Sequence, residues 1–200
     1  MHTEEYGKDK PRTIGLDKVE LDKNYALVIS TNGGLWRYLV GDTVKFTSLA
    51  PYRIVVTGRL KQFINAFGEE VMVDNADKAI AAAAASTGLV VKDYTAAPIY
   101  FGDQNQGAHE WLIEFENKPE SLMAFTIALD ENLKLVNSDY EAKRYKDIAL
   151  GLPKVTALPE GLFHTWLKNK GKLGGQHKVP RLSNDRRYID ELLLLLQQYA

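Results

Sequence analysis

Asp74-Asn75-Ala76-Asp77-Lys78-Ala79-Ile80-Ala81-Ala82-Ala83-Ala84-Ala85-Ser86 holds seven alanines, and it reads as a closely packing helix that begins near Asn75 and ends at Gly88. The run separates two strand-rich stretches. Before it, Tyr25 to Thr31, Leu35 to Val40, Thr43 to Phe46 and Tyr52 to Thr57 carry β-branched and aromatic residues, punctuated by Asn32-Gly33-Gly34, Gly41-Asp42 and Ala50-Pro51. That pattern predicts a small antiparallel sheet or partial barrel of hairpin-linked strands. After the run, Leu89 to Tyr100 and Trp111 to Phe115 read as a hairpin joined by the polar loop Gly102 to Gly107.

Helices are expected over Ser121 to Lys134 and, from the capping box Ser138-Asp139-Tyr140-Glu141, through Asp147. Lys154 to Leu158 reads as a short strand, Leu162 to Asn169 as a short helix and Tyr188 to Tyr199 as a terminal helix. The fold class is therefore α+β: a small antiparallel β subdomain, then a mixed, mostly antiparallel sheet with helices on one face. The change of pattern near Lys61 divides the chain into residues 1–60 and 61–200, and residues 1–24 read as a linker or a cut end.

The 200 residues include 25 Lys plus Arg and 26 Asp plus Glu, a net charge of −1 that gives no overall nucleic-acid or membrane-surface character. With no cysteine there is no thiolate nucleophile and no disulfide framework. Met1 to Gly7 lacks the apolar segment of a secretory signal, and Leu192 to Leu196 is far short of the roughly 20 residues of a membrane span. A cytoplasmic location follows as an expectation.

The four histidines show no metal-ligand spacing, and His109 shares a strand face with Trp111, Ile113 and Phe115, which marks it as structural. Ser30 to Gly34 lacks the Gly-Lys-Ser/Thr ending of a phosphate loop and reads as a turn. Lys168 to Arg187 holds seven cations against the single acid Asp185. A Gly-rich basic segment can present cations to a phosphate; it can equally be a solvated surface, or a non-catalytic contact for nucleic acid or protein. Asp42, at a strand end, can accept hydrogen bonds from a ribose diol, with Arg59 sharing the site.

Taken together, Tyr38-Leu39-Val40-Gly41-Asp42 and Gly58-Arg59-Leu60-Lys61-Gln62-Phe63-Ile64-Asn65-Ala66-Phe67-Gly68 resemble the ribose-binding Tyr-x-x-Gly-Asp motif and the hinge motif of the adenylate-forming superfamily. Gly34 to Lys45, Asn137 to Arg144 and Gly175-Gln176-His177-Lys178-Val179-Pro180-Arg181 are similar to the Gretchen Hagen auxin-responsive family of acyl acid-amido synthetases, in its bacterial branch. The resemblance covers nearly the whole chain but only the C-terminal part of a family member.

It implies a ligase that uses ATP and Mg2+ to convert a carboxylic acid to an acyl-adenylate and passes the acyl group to an amine or amino acid. Formation of a coenzyme A thioester is the alternative. Tyr38, Asp42 and Arg59 would bind nucleotide, Lys61 would be the hinge, and Arg181 would contact phosphate. The catalytic lysine is Lys178 by the family pattern or Lys172 by the wider Gly-Lys pattern, and Asn65 takes no role. Residues 1–60 would close a large N-terminal adenylating domain, and 61–200 would form a mobile cap. That domain is expected as the partner of a chain inactive alone, with small carboxylic acid and amine substrates, and without nucleic acid or membrane.

Overall fold

The structure, a computed structural model, describes residues 1–6, 8–60, 62–100, 106–117, 119, 121–147, 149–172 and 178–199. The chain divides into two compact units, Met1–Gln62 and Phe63–Ala200.

The first unit is an antiparallel sheet of β1 (Asn24–Ile29), β2 (Tyr38–Leu49) and β3 (Tyr52–Arg59), in that order. Tyr25, Val44 and Phe46 form one buried cluster, and Ala26 packs with Met1 and Leu60 in another, as period-two alternation requires. Gly41-Asp42, expected as a turn, lies instead inside the 12-residue β2. Gly41 has φ +93, and the β1–β2 register shifts between Ala26 and Val28. The left-handed glycine takes up a bulge in a strand that continues through it.

The segment before β1, expected as a linker or a cut end, sends several described residues onto this sheet. His2 bridges Tyr25, Leu21 bridges Phe46, and Ile14 and Val19 pack on the Tyr25 cluster. The apolar positions are too widely spaced to show a period. Each nevertheless finds a place against a preformed face.

In the second unit β4 (Phe63–Ile64) pairs antiparallel with β5 (Val71–Met72), which leads into α1 (Val73–Thr87). Ala76, Ala79 and Ala83 of α1 are fully buried, spaced three and four apart on one face. Gly88 closes the helix in the left-handed conformation at φ 68, its N–H bonded to the Ala84 carbonyl. The main sheet has the order β6 (Val91–Ile99), β7 (Ala108–Phe115), β8 (Lys154–Leu158). β7 is antiparallel to β6 and parallel to β8, and the crossover to β8 carries α2 (Leu122–Val136) and α3 (Ser138–Arg144). The final helices are α4 (Leu162–Asn169) and α5 (Arg187–Gln197).

The α+β class holds, with one correction. Helices cover both faces of the sheet: Trp111 and Ile113 face α1 and α2, whereas Leu112 and Ala97 face α4 and α5 through Phe163, Trp166, Ile189 and Leu192. A strand buried on both faces reads as a continuous apolar run, which Trp111-Leu112-Ile113 is. The cap of α3 also moves back by one residue. Asn137, not Ser138, accepts the Tyr140 N–H at 2.8 Å. Among the described residues no helix is long and apolar enough to cross a membrane.

Candidate functional site

The candidate nucleotide residues lie in the first unit. Asp42 and Arg59 are direct cross-strand partners in the β2–β3 register, with Arg59 Nε 3.7 Å from Asp42 Oδ1. Their side chains are 38% and 72% exposed, so the pair is screened by water and open to a ligand. The bulge at Gly41 sits beside Asp42, and the Gly41 carbonyl accepts the Leu60 N–H at 2.9 Å, tying the strand end after Arg59 to the bulge. Tyr38 opens β2 and is half exposed. Ser30 to Gly34 folds as a turn, with the Gly34 N–H on the Thr31 carbonyl and the Thr31 N–H on the Leu35 carbonyl.

The candidate lysines and Arg181 lie in the second unit. Lys172 is exposed just beyond α4, after the left-handed Gly171 at φ 64. Lys178 is exposed and precedes the buried Val179. From there the main chain is fastened to β6. The Thr95 hydroxyl donates to the Pro180 carbonyl at 2.7 Å, the Ala96 N–H to Arg181 O at 2.8 Å, and the Ser183 N–H to Ala96 O at 3.1 Å. Lys61, and Gly175, Gln176 and His177 of the family-like stretch, fall outside the described residues.

The basic run does not present seven unpaired cations. Arg181 pairs with Asp77 at 2.7 Å, Arg186 with Glu110 at 2.7 Å, Lys170 with Glu191 at 2.7 Å, and Arg187 lies 4.0 Å from Asp185. Among the described residues Lys168, Lys172 and Lys178 carry no ion pair. Burial, the largest influence, pushes the Asp93 carboxyl up, while its hydrogen bond from the Tyr94 N–H and the charges of Arg181 and Lys178 pull it down. Burial and the Asp77 hydrogen bond push the Tyr94 hydroxyl up.

Sequence reading missed the carboxylates that organise this unit. Glu69 is fully buried, 2.8 Å from His109 Nε2, and takes the Ala66 and Phe67 N–H groups. A carboxyl beside a histidine on the next strand system was not findable from spacing alone. His109 itself lies buried next to the Trp111 cluster, against the Tyr140 ring. Asn65 is structural: its Oδ1 accepts the Glu70 N–H, and its own N–H goes to Asn184 Oδ1 at 2.8 Å.

Among the described residues no group of three or more His, Cys, Asp or Glu side chains is arranged to hold a metal ion. The magnesium implied by the resemblance is assigned no ligand in this chain, and no step is routed through it.

The chain is similar to known proteins in sequence and in fold. The chain is 28% identical over 180 residues to jasmonoyl-L-amino acid synthetase JAR4 of Nicotiana attenuata, covering 86% of this chain and 31% of that protein. It is 26% identical over 202 residues to indole-3-acetic acid-amido synthetase GH3.4 of Arabidopsis thaliana, covering 90% and 32%. Among solved structures, GH3.15 acyl acid amido synthetase superposes with a TM-score of 0.66 at 21% identity, covering 92% of this chain and 36% of that one. The chain thus spans about a third of the length of the relatives it matches. The GH3 family central domain matches residues 1–59 and the GH3 family C-terminal domain residues 74–187. With the bulged β2–β3 pair inside the first match and the β6-fastened Lys178 segment inside the second, this chain belongs to the GH3 family.

Proposed function

We propose that this chain is the central and C-terminal portion of an ATP-dependent acyl acid-amido synthetase. The observation that carries the reading is the Asp42–Arg59 pair. Two residues singled out separately by motif are direct neighbours across two strands, exposed and joined at 3.7 Å. A carboxylate there accepts the two hydroxyls of a ribose, and the guanidinium next to it offers charge to a phosphate. Tyr38 on the same strand would flank the nucleotide.

The reaction is a nucleotidyl transfer at phosphorus followed by an acyl transfer at the carbonyl carbon. The substrate carboxylate attacks the α-phosphorus of ATP and pyrophosphate leaves; an amine then attacks the acyl-adenylate carbonyl and AMP leaves with the bonding pair. Lys178 is the residue we assign to the first transfer, its ammonium offsetting charge that accumulates on the phosphate oxygens. Residues 61–200 act as a cap that turns about Lys61, bringing the lysine in and taking it away. The catalytic pocket needs the remainder of a full-length synthetase, so this chain alone is inactive.

The test is ATP–pyrophosphate exchange, on the 200-residue chain and on the full-length protein carrying it. Exchange only in the latter supports the reading, and exchange by the chain alone overturns the need for a partner domain. Lys178→Ala should slow exchange on the order of a hundredfold, leaving a measurable residue, and Lys172→Ala should not; the reverse moves the role to Lys172. Product mass separates an amide from a coenzyme A thioester. Salt-dependent binding of nucleic acid without exchange would favour a non-catalytic module.

A further inference from the structure

We propose that Arg181 is a positioning residue for Lys178 and does not itself bind phosphate. This rests on Lys178 being the adenylation lysine. The guanidinium is already committed: Nη1 lies 2.7 Å from Asp77 Oδ1, Nη2 lies 3.9 Å from Asp93 Oδ1, and Cζ lies 4.6 Å from the Tyr94 ring centroid. A phosphate arriving here would have to displace Asp77 and then sit beside two carboxylates, so the local field opposes it. Tyr94 completes the clamp by donating its hydroxyl to the same Asp77 oxygen at 2.7 Å.

What the clamp holds is the backbone. Arg181 O accepts from Ala96, Pro180 O accepts from Thr95, and Leu182 is fully buried in a parallel bridge to Ala96. Lys178 leaves this segment two residues before Pro180, behind the buried Val179. A lysine has a flexible four-carbon stem, so the fixed point from which it projects decides how well its ammonium can be aimed. Misplacement by about 1 Å can cost a catalytic group on the order of a hundredfold in rate. Arg181 and Asp77 remove that freedom at the root of the side chain.

The experiment is a double-mutant cycle in the full-length protein, read by ATP–pyrophosphate exchange. Arg181→Gln and Asp77→Asn should each slow kcat about tenfold with KM for ATP within about twofold. In the Lys178→Ala background, Arg181→Gln should cost nothing further, because a positioning residue acts only through the group it positions. Losses that multiply in the double variant, or a tenfold rise in KM for ATP in Arg181→Gln, would show a direct phosphate contact and overturn the proposal. Asp77→Asn leaves every main-chain bond of the segment in place, so it decides the matter if Arg181→Gln does not fold. Full exchange by Lys178→Ala would instead remove the lysine assignment, and the positioning role with it.

Discussion

His109 Nε2 lies 2.8 Å from Glu69 Oε1 with both side chains fully buried, and the same carboxyl takes the Ala66 and Phe67 N–H groups. Burial, the largest influence, would raise the Glu69 pKa; the His109 hydrogen bond and charge and the Phe67 N–H outweigh it and hold the carboxyl below its ordinary range. A depressed carboxyl contributes stability that is present above its unfolded pKa of about 4.3 and is lost as pH falls through the folded value. Glu69→Gln should therefore destabilise the second unit by about 1–3 kcal/mol at pH 7, with the gap to wild type closing below about pH 4. Urea unfolding at a series of pH values measures this, and a pH-independent gap would show that ionisation plays no part.

Asp130 and Arg144 form another buried pair. Nε and Nη2 of Arg144 donate to the two carboxylate oxygens at 2.7 and 2.9 Å, and the Tyr140 hydroxyl adds a third bond at 2.8 Å. Asp130→Ala would leave a guanidinium in the core without its carboxylate, a change that costs about 3–5 kcal/mol. Thermal melting should show the loss in this variant, and Lys134→Ala, at a more exposed position on the same carboxylate, should shift it far less.

Gly107 has no room for a side chain. A Cβ there would collide with the ring of Phe67, which also packs 6.2 Å from that of Tyr100. Gly107→Ala should cost about 1–3 kcal/mol through overpacking. Adding Phe67→Leu should recover part of it, and strictly additive losses in chemical denaturation would contradict the contact.

Asp42 and Arg59 answer to a different measurement. The pair is largely exposed, so removing it should leave the melting temperature unchanged. If the pair holds ribose, Asp42→Ala should weaken ATP binding at least tenfold in the full-length protein, as titration calorimetry would report.

Ile54, Val55 and Val56 of β3 are each about half exposed, on a strand that among the described residues forms its ladder with β2 alone. An apolar edge of this kind templates association. Val56→Lys should raise the concentration at which the isolated chain stays monomeric, with a change in stability within about 0.5 kcal/mol, by sedimentation and melting respectively.

Much of this architecture is legible in the residues because it is local. The alanine run and Gly88 fix α1 and its end, and the two apolar runs around the polar loop fix the β6–β7 hairpin. Where reading fails, the deciding partner is distant. Asp77 and Glu110, which pair with Arg181 and Arg186, lie 104 and 76 residues away, so a run that looks cationic in sequence is largely paired in space. Gly41 marks a turn by composition, yet tertiary pairing on both sides carries β2 through it. Asp42 and Arg59 stand out in the sequence by motif; their adjacency comes from strand register, which a one-residue slip would destroy.

β7 is bonded along both edges and covered on both faces, and Trp111, Leu112 and Ile113 have no exposed surface. Its amide protons can therefore meet solvent only when the whole second unit opens. Deuterium uptake at those three residues becomes an internal gauge. A ligand held anywhere on that unit slows it by the factor 1 + [L]/Kd, so substrates can be screened by exchange before any turnover is seen.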